Sequence, residues 1–469
     1  MVGDVLNMNS AGNKRIVLIV ACLSSFLTPF MGSSINIALP SIGHEFAMDA
    51  IMLNWVATSY ILASAMFLLP FGRGADIYGR KRIFLIGIAI FSVTSLLAAL
   101  STNVCMLITV RILQGLGSAM IFATGVAILT SVFPLGERGK ALGISVASVY
   151  LGLSLGPFLG GALTEHFGWR SIFLVTVPVG IFVLYLTARR IEGEWAESRG
   201  EKLDLTGSAI YSITLVGLMY GFSRLPSSTG ILMIIFGILG FGGFLLWETR
   251  VRNPLIDLGL FQKEKTFAFS NLAALIHYSA TFAIVFLLSL CLQYLKGMSA
   301  QQAGLVLVVQ PLVMAVFSPV AGMLSDRIEP RIVASLGMSI TACGIFLLIF
   351  LNESSRIPYI MSCLIIIGFG FALFSSPNTN AIMSSVEKKF YGVASGVLAT
   401  MRLVGQMMSM GIAMMLFAIY IGRVQISPQN YDSLLTSTRT AFIIFVILCF
   451  FGIFASLARG SMHNRTSDN

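Results

Sequence analysis

Fourteen stretches of about 20 mostly apolar residues follow one another along this chain. Each is long enough to cross a hydrocarbon layer about 30 Å thick as a helix. The first six lie near 16–39, 51–71, 83–101, 105–133, 140–164 and 170–188, and two more near 205–223 and 229–248. The last six lie near 266–294, 301–324, 332–352, 357–383, 391–421 and 438–459. Such a pattern leads to an all-α integral membrane protein, because a helix satisfies its own backbone amides where no water is present. Of 469 residues, 56% are hydrophobic and only 11% are charged. Soluble domains are about 45–50% apolar and about 25% charged. One oversized soluble core is no escape, since single cores stop growing near 250–300 residues. A soluble enzyme and a free nucleic-acid binder are therefore excluded, and the lipid bilayer is the first partner.

The net charge of +10 has a topological reading. If the N-terminus is cytoplasmic, most Lys and Arg fall in cytoplasmic segments. Only Arg170, Arg224, Lys296, Arg356, Arg423 and Arg439 fall on the other side, and Arg111 and Arg402 lie within spans. This asymmetry predicts both termini in the cytoplasm and a multi-pass protein of the cell membrane. The six cysteines sit in apolar stretches without a CxxC pair, as small buried hydrophobes do. The first polar residues run straight into an apolar segment ending at Pro40, so no cleaved leader is expected.

A repeat runs through the chain. Span two ends in Gly72-Arg-Gly-Ala-Asp76-Ile-Tyr-Gly79-Arg80-Lys81-Arg82, and span ten in Gly322-Met-Leu-Ser-Asp326-Arg327-Ile-Glu-Pro-Arg331. Spans two and ten correspond if six helices repeat around an inserted pair. The division expected is an N-terminal six-helix half (1–188), an inserted pair with flanking charged segments (189–265), and a C-terminal six-helix half with its tail (266–469). Duplicated six-helix halves are a signature of secondary transporters, which bind substrate near the midplane between them.

Four local patterns carry a family resemblance over nearly the whole chain. They are the Gly72–Arg82 loop, Arg111-Ile-Leu-Gln114-Gly115-Leu-Gly117, Gly152-Leu-Ser-Leu-Gly156-Pro157-Phe-Leu-Gly160-Gly161, and Trp169-Arg170-Ser-Ile-Phe173 followed by Pro178. The chain resembles the major facilitator superfamily, in its fourteen-helix drug–proton antiporter branch (EmrB/QacA-type). The resemblance implies a major-facilitator-like fold, a conformational latch at Gly72, Asp76, Gly79, Arg80 and Lys81 with Asp326 as a weaker counterpart, and an exporter's antiporter motif at Gly152, Gly156, Pro157, Gly160 and Gly161. It also implies a part for Arg111 in proton coupling.

The residues themselves leave alternatives open. Positive charge around Asp76 also serves topology. A central arginine costs about 2.5–3.5 kcal/mol on insertion scales, so Arg111 must find partners, and Gln114 lies within helical reach. A structural clamp accounts for Arg111 as well as coupling does, and Arg402 poses the same question. The glycines at 152, 156 and 160 form one close-packing stripe, and Pro157 permits a bend. Asn36, Asn54, Tyr60, Asn271, His277, Tyr278, Gln310, Asn378 and Asn380 outline a mildly polar cavity, although each alone serves equally as a helix-to-helix bond.

The sequence departs from the family where a first-helix aspartate is usual. Asn36-Ile-Ala38-Leu39-Pro40 is preceded by Met31, Gly32, Ser33 and Ser34, and no acidic residue lies mid-span. Neutral or anionic amphiphiles are therefore favoured over strongly cationic ones. If protons are coupled, His277 is the titratable group near a span centre whose ordinary pKa is close to neutral; a structural histidine is the alternative. No HExxH, Walker loop or nucleophile elbow occurs, so no enzyme is expected. The expected function is a secondary active transporter exporting small amphipathic molecules by alternating access, with an importer or facilitator of an endogenous metabolite as the alternative. No cofactor, metal or nucleic acid is expected, and the unit of function is expected to be the monomer.

Overall fold

The computed structural model describes residues 11–256, 258–387 and 391–460, and fourteen of its helical segments are long and apolar enough to span a membrane. In chain order these begin with α1 (Ala11–Glu45), α2 (Ala50–Tyr78), α3 (Arg80–Ala99), α4 (Val104–Val132), α5 (Leu135–Phe167) and α6 (Arg170–Arg190). Next come α7 (Leu205–Arg224), α8 (Ser228–Glu248) and a short α9 (Leu258–Lys263). The ninth span divides into α10 (Lys265–Thr281), α11 (Ala283–Leu290) and a π-helical turn, Cys291–Leu295. The tenth divides into α12 (Ala300–Leu307) and α13 (Val309–Arg327). The last four are α14 (Pro330–Leu348), α15 (Ile357–Ser384), α16 (Tyr391–Tyr420) and α17 (Tyr431–Leu457).

Several helices extend beyond their apolar stretches. The apolar segment of the first span ends at Pro40, and α1 continues through Pro29 and Pro40 to Glu45. A missing amide costs one hydrogen bond, whereas unwinding in lipid would strand several. Where helices do stop, side chains replace the lost partners. Asp49, Asn103, Asp204 and Ser227 each accept a backbone N–H of the helix that follows, and Ser299 forms a capping box with Gln302. Gly79 closes α2 at φ +113°, a conformation that favours glycine. The break in span ten follows from Pro311, which lacks the N–H that would bond Leu307.

Small residues set the packing. On α3 and α4, a methyl group on Gly87 would lie 3.0 Å from the Gly117 carbonyl; on α14 and α15, one on Gly337 would lie 2.7 Å from the Gly370 carbonyl. The third and fourth spans thus cross backbone to backbone, and so do the eleventh and twelfth. The glycine stripe of α5 faces α1. Ser33 donates to the Gly152 carbonyl at 3.4 Å and Ser34 to that of Gly156 at 3.1 Å. The α7–α8 pair lies on the outside. Tyr211 of α7 donates to the Ala65 carbonyl of α2, and Gly411 of α16 abuts Phe222 of α7. Its partner α8 has only 17% of its apolar window buried, against 78% for α2, so α8 presents most of its surface to lipid.

Candidate functional site: two arginines within the helices and two bundle ends

Arg111 is fully buried and held by its neighbours. Its Nε–H donates to the Val56 carbonyl at 3.1 Å and its Nη1 to Gln114 Oε1 at 2.6 Å. Gln114 Nε2 in turn donates to Ser95 Oγ at 2.8 Å. The guanidinium stacks 4.3 Å over the Tyr60 ring, whose hydroxyl donates to Ser118 at 2.8 Å. The arrangement ties α4 to α2 and α3. Tyr60, read from sequence as a cavity residue, lies inside this network. Replacing Arg111 with alanine is expected to destabilise the protein by about 2–4 kcal/mol, because the Val56 carbonyl and Gln114 would lose their partners. Arg111→Lys should recover only part, since a point charge does not reproduce the guanidinium fork. Thermal unfolding of the purified protein measures both, and an unchanged melting temperature in Arg111→Ala would refute the clamp.

Arg402 sits differently. It is half-buried on α16, and its Nε–H donates to the Tyr278 hydroxyl of α10 at 2.9 Å. Its guanidinium carbon lies 5.2 Å from the Tyr278 ring centre, and it makes no ion pair among the described residues. Tyr150 of α5 lies within electrostatic reach of both Arg402 and Tyr278, and shares a 3.1 Å hydrogen bond with Ser375 of α15. Four helices thus bring a cation, two phenols and a hydroxyl together. His277, one residue before Tyr278, is stacked among Phe374 at 4.1 Å, Phe371 at 4.8 Å and Tyr278 at 6.0 Å. Neither of its ring nitrogens has a partner. Tyr150 and Ser375 escaped the sequence reading, because a tyrosine and a serine in apolar helices carry no motif.

The remaining candidate residues divide into bonded and unbonded. Asn54 donates to the Met410 carbonyl at 3.4 Å, joining α2 to α16, and accepts from Thr58. The Asn36 carbonyl accepts from Ser289 of α11 at 2.8 Å. Oδ1 of Asn36, Asn271 and Asn378 and Oε1 of Gln310 are buried without a protein partner. Buried polar atoms are normally paired, so these are places where water or a ligand group would bind. The set is spread over α1, α10, α13 and α15.

The two ends of the bundle differ. At the Gly168 end the chain is zipped. A methyl group on Gly161 would lie 2.5 Å from the Ala300 carbonyl, and one on Gly304 would overlap the Pro157 carbonyl. Beside them the Gln301 amide donates to Glu165 at 2.9 Å, and Gln293 donates to the Ile37 carbonyl at 3.0 Å. Gly160 meets the backbone of Ser34. The Trp169-Arg170 pattern forms a clasp here. Glu45 accepts from Trp169 Nε1 at 2.7 Å and from both Arg170 Nη atoms at 2.8 and 2.7 Å.

At the Gly79 end, Asp76 is bonded by Arg80 through Nε at 2.9 Å and Nη2 at 2.8 Å. Arg80 also reaches Ser131 and Glu197, and Lys81 donates to the Ile191 carbonyl at 2.6 Å. Gly72 packs near Ala123. Glu194 caps α3 by accepting the amides of Lys81 at 2.8 Å and Arg82 at 3.1 Å, and Glu201 pairs with Arg73. The segment after α6 is therefore strapped across this loop. Its acidic residues at 194, 197 and 201 facing four basic ones were the signal that sequence reading passed over. Asp326 lies on α13, but its side chain is outside the described residues.

Fourteen candidate spans thus enclose buried polar groups between two ends that are closed by different contacts. Residues 21–247 and 271–467 match the Major Facilitator Superfamily, and the chain belongs to that family. It is 30% identical over 440 residues to the riboflavin transporter RibZ of Clostridioides difficile (strain 630), covering 94% of this chain and 96% of that protein. It is 35% identical over 409 residues to the cephamycin export protein CmcT of Amycolatopsis lactamdurans, covering 85% and 84%. Among solved structures, a bacterial homolog of the human lysosomal transporter Spinster, inward-facing and occupied, superposes with a TM-score of 0.65 at 16% identity over 96% of this chain and 97% of that one. This last likeness speaks to the fold alone.

Proposed function

We propose that this protein is an exporter of neutral or anionic amphipathic small molecules, of the fourteen-helix antiporter type, working by alternating access in the cell membrane with both termini cytoplasmic. The observation that carries the reading is Arg402: a half-buried cation with no carboxylate partner among the described residues, framed by Tyr278 and Tyr150. A cation placed so attracts an acceptor-rich or anionic group and repels a cationic drug. The neighbouring aromatic rings at 371 and 374 offer apolar contact. The export of a cephamycin by one relative supports the direction. A second reading, transport of an endogenous metabolite rather than a drug, is favoured by RibZ, which matches almost end to end and is named for riboflavin.

Proteoliposomes with an imposed pH gradient test this. A neutral dye, an anionic amphiphile, a cationic dye and riboflavin are loaded in parallel. Saturable movement of the neutral and anionic compounds, with the cationic dye left behind, is expected. Gradient-driven movement of the cationic dye alone would overturn the proposal. Saturable riboflavin movement without the others would select the second reading.

A further inference from the structure

The inserted pair α7–α8 carries two carboxylates that the transport reading does not use. Asp204 is the N-cap of α7 and Glu248 the last residue of α8; they are 9% and 4% exposed. Asp204 accepts a hydrogen bond at each oxygen: Oδ1 from the Gly207 amide and Oδ2 from Trp247 Nε1, both at 2.9 Å. Glu248 Oε2 accepts the Ile256 amide at 2.9 Å, and the Leu255 amide also faces this carboxylate. Glu248 Oε1 is buried with no hydrogen-bond partner. Both side chains converge on Gly207. A methyl group built there would overlap Asp204 Oδ2 and stand 2.9 Å from Glu248 Oε1.

Among the described residues, no basic side chain is paired with Glu248 or Asp204. Asp204 is the ionisable group whose charge acts on Glu248. The nearby Lys202, Arg250 and Arg252 are exposed, and no ion pair joins them to either carboxylate among the described residues. Two carboxylates converging in a buried pocket cannot both stay charged and unneutralised. Because residue 207 has no side chain, the two carboxylate oxygens can come close to the place a Cβ would take.

We infer that Glu248 and Asp204 form a site for one small monovalent cation, a proton or a sodium ion, held between Glu248 Oε1 and Asp204 Oδ2. A proton would turn Glu248 into a donor toward Asp204. A sodium ion would take both oxygens as hard ligands, with water completing its shell. The site has a route to the transport machinery: α7 packs on both α2 and α16, the two helices that Asn54 joins through the Met410 carbonyl. Filling or emptying the site changes the charge that holds α7 to α8 and so the lateral support of that junction. The inference is independent of which substrate the protein carries.

The test uses the full-length protein in lipid nanodiscs, with no transported substrate. Infrared difference spectra across a pH titration detect a protonated carboxyl, and radioactive sodium at alkaline pH detects metal binding. If the occupant is a proton, wild type shows a buried carboxyl signal that disappears in Glu248→Gln. If it is sodium, wild type binds about one equivalent, and Glu248→Gln binds none. Gly207→Ala keeps both carboxylates and presses a methyl group against their two facing oxygens. It is expected to move the carboxyl transition by about one pH unit or weaken sodium about tenfold. Glu248→Gln has the shape of the neutral acid, so it should fold, which gel filtration verifies. If wild type and Glu248→Gln give identical infrared titrations and identical sodium binding, the site does not exist.

Discussion

Arg402→Ala is expected to lower the transport of an anionic amphiphile about ten- to a hundredfold, seen as a raised KM in proteoliposomes. The estimate follows from losing one charge-assisted contact of about 1.5–3 kcal/mol in a partly dry setting. A neutral substrate should lose less. Arg402→Lys should restore part of the anion transport, because the charge returns while the bond to the Tyr278 hydroxyl is remade with poorer geometry. Tyr278→Phe should leave the charge but free the guanidinium, raising KM by a smaller factor. Equal losses for anionic, neutral and cationic substrates would show that Arg402 supports the fold and does not select the cargo.

The second large effect is steric. Gly304→Val is expected to reduce transport at least about tenfold with the protein still folded. A Cβ at 304 would overlap the backbone carbonyl of Pro157, and backbone cannot swing aside as a side-chain tip does. The α5–α12 contact would have to open, taking with it the bond from the Gln301 amide to Glu165. In the proposed alternating-access cycle, a protein unable to close the Gly168 end would rest in the opposite state. Spin labels on α5 and α12 should show a longer distance in the variant than in wild type. An unchanged distance with normal transport would mean that this contact is not part of the cycle. Gly160→Val, which meets Ser34 on α1, serves as a comparison at a contact on the other side of α5.

Much of the architecture was legible before any coordinates. The count of fourteen spans followed from apolar length, and the glycines at 152, 156 and 160 announced close approach at spacing four. Helix ends were less legible. The α1 helix runs through Pro40 because unwinding inside lipid costs more than one missing bond, a balance that local sequence does not display. The division of span nine at Phe282 and its π-helical turn left no mark in the apolar pattern either.

The candidate sites show the limit most clearly. Sequence placed Arg111 and Gln114 on one helix face, and their bond at 2.6 Å follows from helical spacing. It also flagged Arg402, His277 and Tyr278 as polar groups that need company. Which company was decided by tertiary structure. Tyr150 reaches Arg402 from a helix some 250 residues away, Glu194 caps α3 across the chain, and Glu248 meets Asp204 only because α7 and α8 pack side by side. Apolar period and charge poverty act locally, so the sequence alone determined a multi-pass helical membrane protein. The identity of facing side chains depends on how helices rotate and cross. That is fixed by the sum of many small contacts between distant segments, and only the folded bundle expresses it.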